Sequence, residues 1–238
     1  MLTNIFVLTG AGVSAESGLG TFRDTKGEGI WARFDPMKLA TPEAFARDPE
    51  TVLAFYDARR RNLKSATPNA AHFALARLES ALAATGGCLT LVTQNIDDLH
   101  ERAGSRTVIH MHGELMKARC ENCDAVGDWR DDLKPSQACP QCSFVGALRP
   151  HVVWFGEMPF HMDEIDRALR RADLFVAIGT SGAVYPAAGF VAEARAFGVP
   201  TCEINLEAAD NAYCFDDARY GPASEVVPAW VEELIGPA

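Results

Sequence analysis

A glycine-rich loop near the start of the chain has the composition of a phosphate-binding turn. Its sequence is Gly10-Ala11-Gly12-Val13-Ser14-Ala15-Glu16-Ser17-Gly18, and it follows an apolar run at 5–8 that predicts a strand. Glycines let backbone N–H groups approach a pyrophosphate, and the start of a helix favours negative charge. Ala15 stands where the dinucleotide fingerprint has its third glycine, so a tight strand–helix turn is an equal alternative.

A polar run and two histidines follow a second apolar segment, at 89–92. The run is Thr93-Gln94-Asn95-Ile96-Asp97, and its amide and carboxylate groups could orient a ribose or a carboxamide. A polar helix cap is the alternative. His110 and His112 flank Met111, so both would face one side of an extended segment. A histidine with an ordinary pKa of about 6.5 could act there as a general base, or it could be structural.

Four of the seven cysteines have the spacing of a zinc site. The pattern is Cys120-x2-Cys123-x15-Cys139-x2-Cys142. Two such pairs can place four thiolates around a tetrahedral zinc, and four Cys ligands leave no open position. We therefore predict one structural Zn²⁺. The other cysteines lie apart in apolar settings, which favours a reducing compartment over a disulfide framework.

Composition restricts the classes of partner. The chain has 238 residues, 48% of them hydrophobic, and a net charge of −10. The negative charge argues against nucleic acid as the main partner and is compatible with lysine-bearing protein segments. No apolar run reaches the roughly 18–20 residues that a membrane span needs. The chain starts almost directly on a strand, without room for a signal peptide, so we expect a cytoplasmic protein, and a monomer.

Short apolar runs alternate with helical patterns along the chain. Strands are predicted at 5–8, 89–92, 174–178 and 201–204, and helices near 49–63, 68–84, 163–171, 186–197 and 228–235. This alternation predicts an α/β fold with a doubly wound, Rossmann-like parallel sheet. Two stretches do not fit the sheet. We expect about 27–67 and 114–149 to form a smaller helical and zinc-binding lobe beside a large lobe of about 1–26, 68–113 and 150–238.

Together these motifs resemble the sirtuin family of NAD-dependent protein lysine deacylases, of bacterial type. The match is carried by the glycine loop with Thr21-Phe22-Arg23, by TQNID, by His112-Gly113-Glu114-Leu115, by the four cysteines, by Gly179-Thr180-Ser181 and by Asn205-Leu206-Glu207. These motifs occur in the family's order and span nearly the whole chain. The resemblance implies a Rossmann-like lobe and a smaller helical, zinc-binding lobe, with NAD⁺ and an acylated lysine segment meeting in the cleft between them.

The resemblance also implies roles for individual residues. His112 would be the general base, and the four cysteines would hold zinc. The cofactor would be bound by Gly10, Ala11, Gly12, Ser17, Gly18, Phe22, Arg23, Gln94, Asn95, Ile96, Asp97, Gly179, Thr180, Ser181, Asn205, Leu206, Glu207 and Ala223. The backbone of the substrate would pair with a strand-like segment at 152–157 that includes Val153, Phe155 and Gly156, and Phe155 would line the lysine tunnel.

Tyr56 and Arg59 lie three positions apart on a predicted helix and so share a face. Their placement resembles that of the class III subgroup of sirtuins, which removes succinyl and malonyl groups. The chemistry agrees, since a guanidinium and a phenol can together bind the carboxylate of such a group. Ala40 resembles the small residue that widens this subgroup's pocket. A solvated Arg59-Arg60-Arg61 face with Tyr56 in the core is the alternative.

The implied activity is removal of succinyl, malonyl and acetyl groups from lysine, with release of nicotinamide and O-acyl-ADP-ribose. Three other functions use some of the same motifs. Mono-ADP-ribosyl transfer would share the cofactor and differ in the acceptor. An NAD(P) dehydrogenase would share the sheet and the glycine loop, and a nucleic-acid-binding zinc ribbon would share the cysteines.

Overall fold

The computed structural model describes residues 3–20 and 36–236 of the chain. The strands of the described residues are β1 (Asn4–Thr9), β2 (Cys88–Thr93), β3 (Val108–His110), β4 (Gly113–Cys120), β5 (Val126–Asp128), β6 (Leu148–Val152), β7 (Leu174–Ile178), β8 (Thr201–Asn205) and β9 (Asp217–Tyr220). The α-helices are α1 (Gly12–Ala15), α2 (Pro36–Leu39), α3 (Pro42–Arg47), α4 (Pro49–Ser65), α5 (Ala70–Ala84), α6 (Leu99–Arg102), α7 (Met162–Leu169), α8 (Phe190–Ala196) and α9 (Ala223–Ile235).

Six strands form one parallel sheet in the order β3-β2-β1-β7-β8-β9. The order reverses between β1 and β7, and ligands of open α/β sheets bind outside the carboxyl ends of the strands at such a point. The loops that begin at Gly10 and Gly179 follow these two strands directly. The predicted doubly wound α/β fold is confirmed.

The central strand β1 is buried on both of its faces. Ile5 and Val7 pack into a core with α5 and α9, whereas Phe6 and Leu8 pack into a second core with α7 and α8. Successive side chains of a strand point to opposite faces, so one apolar run supplies both cores. The helices therefore cover both sides of the sheet.

A smaller antiparallel sheet contains β4 between β5 and β6. Few strand signals are present in the sequence of residues 114–149. The structure nevertheless places most of β4 at the beginning of this stretch, up to Cys120, and the start of β6, Leu148, at its end. Leu148 and Cys120 pair across the two strands. Cys120 of β4 and Leu148 of β6 pack in one buried cluster with Cys139, and the apolar pattern of the sequence did not reveal this packing.

The last helix differs from its predicted bounds for an identifiable reason. The last helix was expected to begin at Pro228, but α9 begins at Ala223 and contains Pro228 in its interior. Its buried face is formed by Val227, Trp230 and Val231, so packing on the sheet stabilises the helix despite the hydrogen bond that a proline cannot donate. The helix after the glycine loop is only four residues long. Within the described part of the chain, we find no helix of the length and apolarity that crossing a bilayer requires.

Candidate active site

The two loops at the reversal point pack directly on each other. The N–H of Gly10 donates to the carbonyl of Ile178, and the N–H of Gly12 donates to the carbonyl of Gly179, both at 2.9 Å. A Cβ on Gly12 would lie 2.7 Å from the Cα of Gly179, and one on Gly179 would lie 2.5 Å from the nitrogen of Val13. These glycines are therefore required for contact between the loops, in addition to any contact with a phosphate.

The other described residues of the glycine loop have distinct environments. Ala11 precedes α1, and Gly18 is exposed with a φ of +84°. The hydroxyl of Ser17 accepts a hydrogen bond of 3.0 Å from Asn69, whose amide also donates to the carbonyl of Val13. The predicted cofactor residues Phe22 and Arg23 lie outside the described residues.

A buried network of polar side chains connects the glycine loop to the TQNID run. The hydroxyl of Ser14 donates to Asp97 at 3.1 Å, and the amide of Asn95 donates to the Ser14 hydroxyl at 3.2 Å and to the carbonyl of Gly10 at 3.1 Å. Each of the three side chains belongs to a residue that is at most 8% exposed. Burial raises the pKa of Asp97, while hydrogen bonds from Leu99 and Ser14 oppose that rise.

His72 completes this network, and neither His72 nor Ser14 is among the predicted site residues. The N–H of Asn69 donates to Nδ1 of His72 at 3.2 Å, so Nε2 carries the proton and faces the Ser14 oxygen at 3.4 Å. Burial lowers the pKa of His72 to about 4, which keeps the ring neutral. The sequence signal that could have pointed to His72 is a local one, because Asn69 and His72 form a capping box at the start of α5.

His112 is oriented by the backbone of the polar run. Its Nδ1 lies 3.0 Å from the carbonyl of Gln94. Since a carbonyl only accepts, Nδ1 carries the proton and the lone pair is on Nε2, as a general base requires. Burial lowers the pKa of His112, and the hydrogen bond to Gln94 only partly opposes this effect. The side chain is therefore neutral at pH 7 and ready to accept a proton.

The two histidines do not lie on one extended segment, contrary to the expectation. Strand β3 ends at His110, and Met111 and His112 lie in a turn. His110 binds Glu101 through Nε2 at 2.6 Å, and its Nδ1 lies 3.4 Å from the carbonyl of Asn95. Burial lowers the pKa of His110, but the hydrogen bond and the charge of Glu101 outweigh it, so the pKa is raised overall. His110 thus supports the polar run from behind.

Among the predicted cofactor residues, the sirtuin resemblance places Ser181, Asn205 and Ala223 on the adenosine side of NAD⁺. Ser181 and Asn205 lie at the carboxyl ends of β7 and β8. The amide of Asn205 donates to the carbonyl of Thr180 at 2.7 Å and to the buried carboxylate of Glu203 at 3.3 Å. The carbonyl of Ser181 accepts the N–H of Asp210, and the N–H of Gly221 donates to the carbonyl of Asn205. Leu206 and Glu207 are exposed, and Ala223 is the first residue of α9.

Glu16 joins the glycine loop to this adenosine side. Its carboxylate accepts hydrogen bonds from the N–H of Ser224, at 3.0 Å, and from the Ser224 hydroxyl. These contacts satisfy one of the unpaired N–H groups in the first turn of α9. The residues predicted to contact the two ends of a dinucleotide are therefore connected, and the glycine loops and the buried Ser14, Asn95 and Asp97 fit such a ligand.

The predicted acyl-binding residues lie on α4. Tyr56 is 2% exposed and packs in one apolar cluster with Ala40, Trp154 and the half-buried Phe155. Arg59 is half-buried, and burial lowers its pKa, while the nearby Tyr56 phenol and Asp97 carboxyl oppose that change. Tyr56 is thus buried, and whether its hydroxyl binds an acyl group stays a prediction. Arg59 is not part of a fully solvated face, and its surroundings differ from those of the two arginines that follow it.

Arg60 contradicts the alternative of a solvated arginine run, whereas Arg61 agrees with it. Arg60 is 1% exposed and pairs with Asp57, and Arg61 forms a surface pair with Asp132. Consecutive residues of a helix point about 100° apart, so one run of arginines serves three different environments.

The segment expected to pair with substrate is only partly strand-like. β6 ends at Val152, and Phe155 and Gly156 form a turn in which Gly156 has a φ of +90°. The N–H of Val153 donates to the carbonyl of His112, and the N–H of Phe155 donates to the carbonyl of Ala40, both at 2.9 Å. The segment is therefore held between His112 and Ala40.

The four cysteines converge as their spacing predicts. The Sγ atoms of Cys120 and Cys142 are 3.8 Å apart, as are those of Cys123 and Cys139, and all four lie within 4.8 Å of one another. Four sulfurs at the usual Zn–S distance of about 2.3 Å from a tetrahedral zinc are about 3.8 Å apart. The geometry and the donor set therefore fit one structural zinc.

Comparison with known proteins agrees with this fold and site. A model of the Sir2 family matches residues 10–186. The chain is 63% identical over 234 residues to an NAD-dependent protein deacylase of Caulobacter vibrioides, covering 98% of each. A crystal structure of a Sir2 homologue with NAD superposes with a TM-score of 0.87 at 42% identity, covering 97% of this chain and 89% of that one.

A third similarity concerns a Sir2 protein solved with a deacetylated peptide and 3′-O-acetyl-ADP-ribose. It superposes with a TM-score of 0.81 at 28% identity, covering 99% of this chain and 94% of that one. The parallel sheet, the cysteine cluster and these matches define one class of enzyme. The chain belongs to the Sir2, or sirtuin, family, and the predicted resemblance is confirmed.

Proposed function

We propose that the protein is an NAD-dependent lysine deacylase that prefers succinyl and malonyl groups and also removes acetyl groups. The deacylase activity is supported by the relative that bears this name and by the Sir2 structure with a deacetylated peptide. The preference is carried by one observation, the half-buried Arg59 beside Tyr56 on the face of α4 that packs near Phe155. A guanidinium in such a place can bind the carboxylate at the far end of an acyl chain.

His112 acts as the general base in this proposal. Its Nε2 accepts a proton from a ribose hydroxyl, while the Gln94 carbonyl holds Nδ1–H and so fixes the orientation of the ring. When bound, NAD⁺ supplies the ADP-ribose that accepts the acyl group, and nicotinamide is released. A neutral histidine with a lowered pKa suits this proton transfer at pH 7.

Asn95 and Asp97 orient the ribose on the nicotinamide side in this proposal. Ser14 holds both side chains in place, since its hydroxyl accepts a hydrogen bond from Asn95 and donates one to Asp97. A group held by several hydrogen bonds in a buried site loses little freedom when its ligand binds, which lowers the cost of binding. Gln94 contributes its carbonyl to His112, so one short run serves both the cofactor and the base.

The substrate is an acylated lysine segment of a protein. We propose that its backbone lies along 152–157, between His112 and Ala40, where Val153 and Phe155 are fixed by their N–H groups.

We also propose the division into a Rossmann-like lobe and a smaller helical and zinc-binding lobe, which is consistent with the two separate sheets. A monomer in the cytoplasm remains our expectation, and the cysteines of the described residues form no disulfides.

The preference is tested with Arg59→Met and two peptides that differ only in the acyl group. With saturating NAD⁺, we expect the KM for the succinyl peptide to rise at least tenfold, while the KM for the acetyl peptide changes less than twofold. Arg61→Met is the matched control, because Arg61 lies on the same helix and is 56% exposed in its surface pair. Equal losses on both peptides would refute the preference, and no NAD-dependent deacylation by folded, zinc-loaded wild type would refute the activity.

A further inference from the structure

Helix α4 carries two pairs of residues on adjacent faces. Tyr56 and Arg59 form the proposed acyl clamp, and Asp57 and Arg60 each follow a clamp residue by one position. One residue is a rotation of about 100° around an α-helix. Asp57 is 6% exposed and Arg60 is 1% exposed, so this second face is also buried. A buried aspartate and arginine beside the clamp require partners.

The second pair binds the loop at 131–133, which precedes the cysteine pair at 139–142. Nη1 of Arg60 donates to Asp57 at 2.5 Å and to the carbonyl of Asp131 at 3.2 Å. Both carboxylate oxygens of Asp57 accept the N–H of Leu133, at 3.1 and 3.2 Å. Nε of Arg60 donates to the carbonyl of Leu115 on β4 at 3.2 Å. The pair therefore joins α4 to the zinc-binding segment at three backbone groups.

The loop at 131–133 is itself part of the core around the zinc ligands. Leu133 is 2% exposed and packs in one cluster with Cys120, Cys139 and Leu53 of α4. The apolar contacts and the ion pair thus act on the same two elements. The placement of α4 depends on the fold of the zinc-binding segment.

The buried charges of Asp57 and Arg60 restrict the position of α4 relative to the zinc-binding segment. A charge removed from water is costly unless it is paired and hydrogen-bonded, and the planar guanidinium group fixes the directions of its hydrogen bonds. If α4 rotated or slid, Asp57 and Arg60 would lose their backbone partners together. The helix is therefore held in one rotational setting, and that setting directs Tyr56 and Arg59 toward the acyl pocket.

We propose that Asp57 and Arg60 are positioning residues for carboxylate-bearing acyl groups, because they fix α4 against the zinc-binding segment and so place Arg59. The inference rests on the proposed function, since it requires that Tyr56 and Arg59 bind the acyl carboxylate. An acetyl group has no carboxylate to place. Loss of the pair should therefore change selectivity between acyl groups rather than turnover in general.

The test is Asp57→Asn in the full-length, zinc-loaded protein. Asparagine keeps the shape of the side chain and an oxygen for the Leu133 N–H, but it removes the charge that pairs with Arg60. We expect the KM for the succinyl peptide to rise at least fivefold, with kcat on both peptides and the KM for the acetyl peptide within twofold of wild type. A residue with only a structural role would change both peptides equally.

Arg61→Met is again the matched control, because Arg61 binds the same loop through Asp132 at 2.6 Å but both side chains are more than half exposed. It should leave both KM values unchanged. If Asp57→Asn does not fold, the double variant Asp57→Leu/Arg60→Met removes both buried charges and leaves neither unpaired. The same selective rise in the KM for the succinyl peptide is expected. Unchanged selectivity in a folded variant overturns the inference.

The outcomes separate this inference from the function on which it rests. If wild type shows no preference for the succinyl peptide, or if Arg59→Met affects both peptides equally, the proposed clamp is wrong. If Arg59→Met is selective while Asp57→Asn and the double variant leave both KM values unchanged, the clamp stands and the positioning role is refuted. Metal content measured on each variant ensures that loss of zinc is not mistaken for either result.

Discussion

The indole Nε1 of Trp154 donates a hydrogen bond of 2.9 Å to the phenol oxygen of Tyr56. Both side chains are 2% exposed, and burial raises the pKa of Tyr56 to about 12. The phenol is therefore protonated at neutral pH. Because its oxygen already accepts from Trp154, its own hydrogen is directed elsewhere and can be donated to a carboxylate. In the proposed acyl clamp, the hydrogen bond from Trp154 therefore leaves the phenol as a donor.

Tyr56→Phe should impair desuccinylation selectively. The variant removes the donor to the acyl carboxylate, and a hydrogen bond to a charged group contributes about 1.5–3 kcal/mol, so we expect the KM for a succinyl peptide to rise about tenfold or more. The Trp154 N–H also loses its partner, which should lower the free energy of unfolding by about 1 kcal/mol. Steady-state kinetics on succinyl and acetyl peptides and urea denaturation measure the two effects. An equal rise in both KM values would contradict the role of the phenol.

The residues of the proposed acyl clamp show how much of the candidate site the sequence could predict. The spacing of Tyr56 and Arg59 places both on one helix face, and that much follows from helical periodicity. The different environments of Arg59, Arg60 and Arg61 do not follow from helical periodicity. Arg60 is buried because the loop at 131–133 folds over α4, which is a contact between residues about 70 positions apart. No local pattern contains that information.

The strands, too, divide into those that a local sequence pattern predicts and those that depend on distant neighbours. Strands β1 and β7 lie at the centre of the sheet and have continuous apolar runs, so their positions were predictable. β3 has three residues and β9 has the polar sequence DARY, and both lie at edges of the sheet, where neighbours rather than composition determine the strand. The motif that contains Ser14 was visible, but its bonds to Asn95 and Asp97 arise only when two strands become neighbours.

The pH dependence of turnover should report His112. A general base acts in its neutral form, and burial lowers the pKa of His112 below the ordinary value of about 6.5. The midpoint of the acid limb should therefore lie below pH 6.5. Measurement of kcat/KM for the acetyl peptide between pH 5 and 8 gives the midpoint of the acid limb. His112→Tyr should abolish turnover without loss of the fold by circular dichroism; substantial residual deacylation in that variant would exclude His112 as the base.

The ion pair between His110 and Glu101 should contribute stability only at low pH. The pKa of His110 is raised in the folded state, so its contribution is complete below the unfolded value of about 6.5 and is lost as the pH rises through the folded value. Glu101 is 39% exposed, which reduces the expected effect of Glu101→Gln to about 1 kcal/mol, or roughly 2–4 °C in Tm. Thermal unfolding of both proteins at pH 5.5 and pH 8.5 measures it. A Tm difference that is the same at both pH values would show that charge plays no part.

Gly179→Ala should disrupt cofactor binding through the contact between the two loops. The residue has a φ of +63°, and an added Cβ would lie 2.5 Å from the nitrogen of Val13 and 2.7 Å from the carbonyl carbon of Gly12. These are backbone atoms, so the loops must separate, and positive φ at a non-glycine residue adds about 1–2 kcal/mol of strain. We expect the Kd for ADP-ribose, measured by calorimetry, to rise at least tenfold. Gly127→Ala is the control, because a Cβ there meets no atom within 4 Å and the residue lies on β5 in the other sheet. Wild-type affinity in Gly179→Ala would mean that the cofactor does not depend on the contact between these loops.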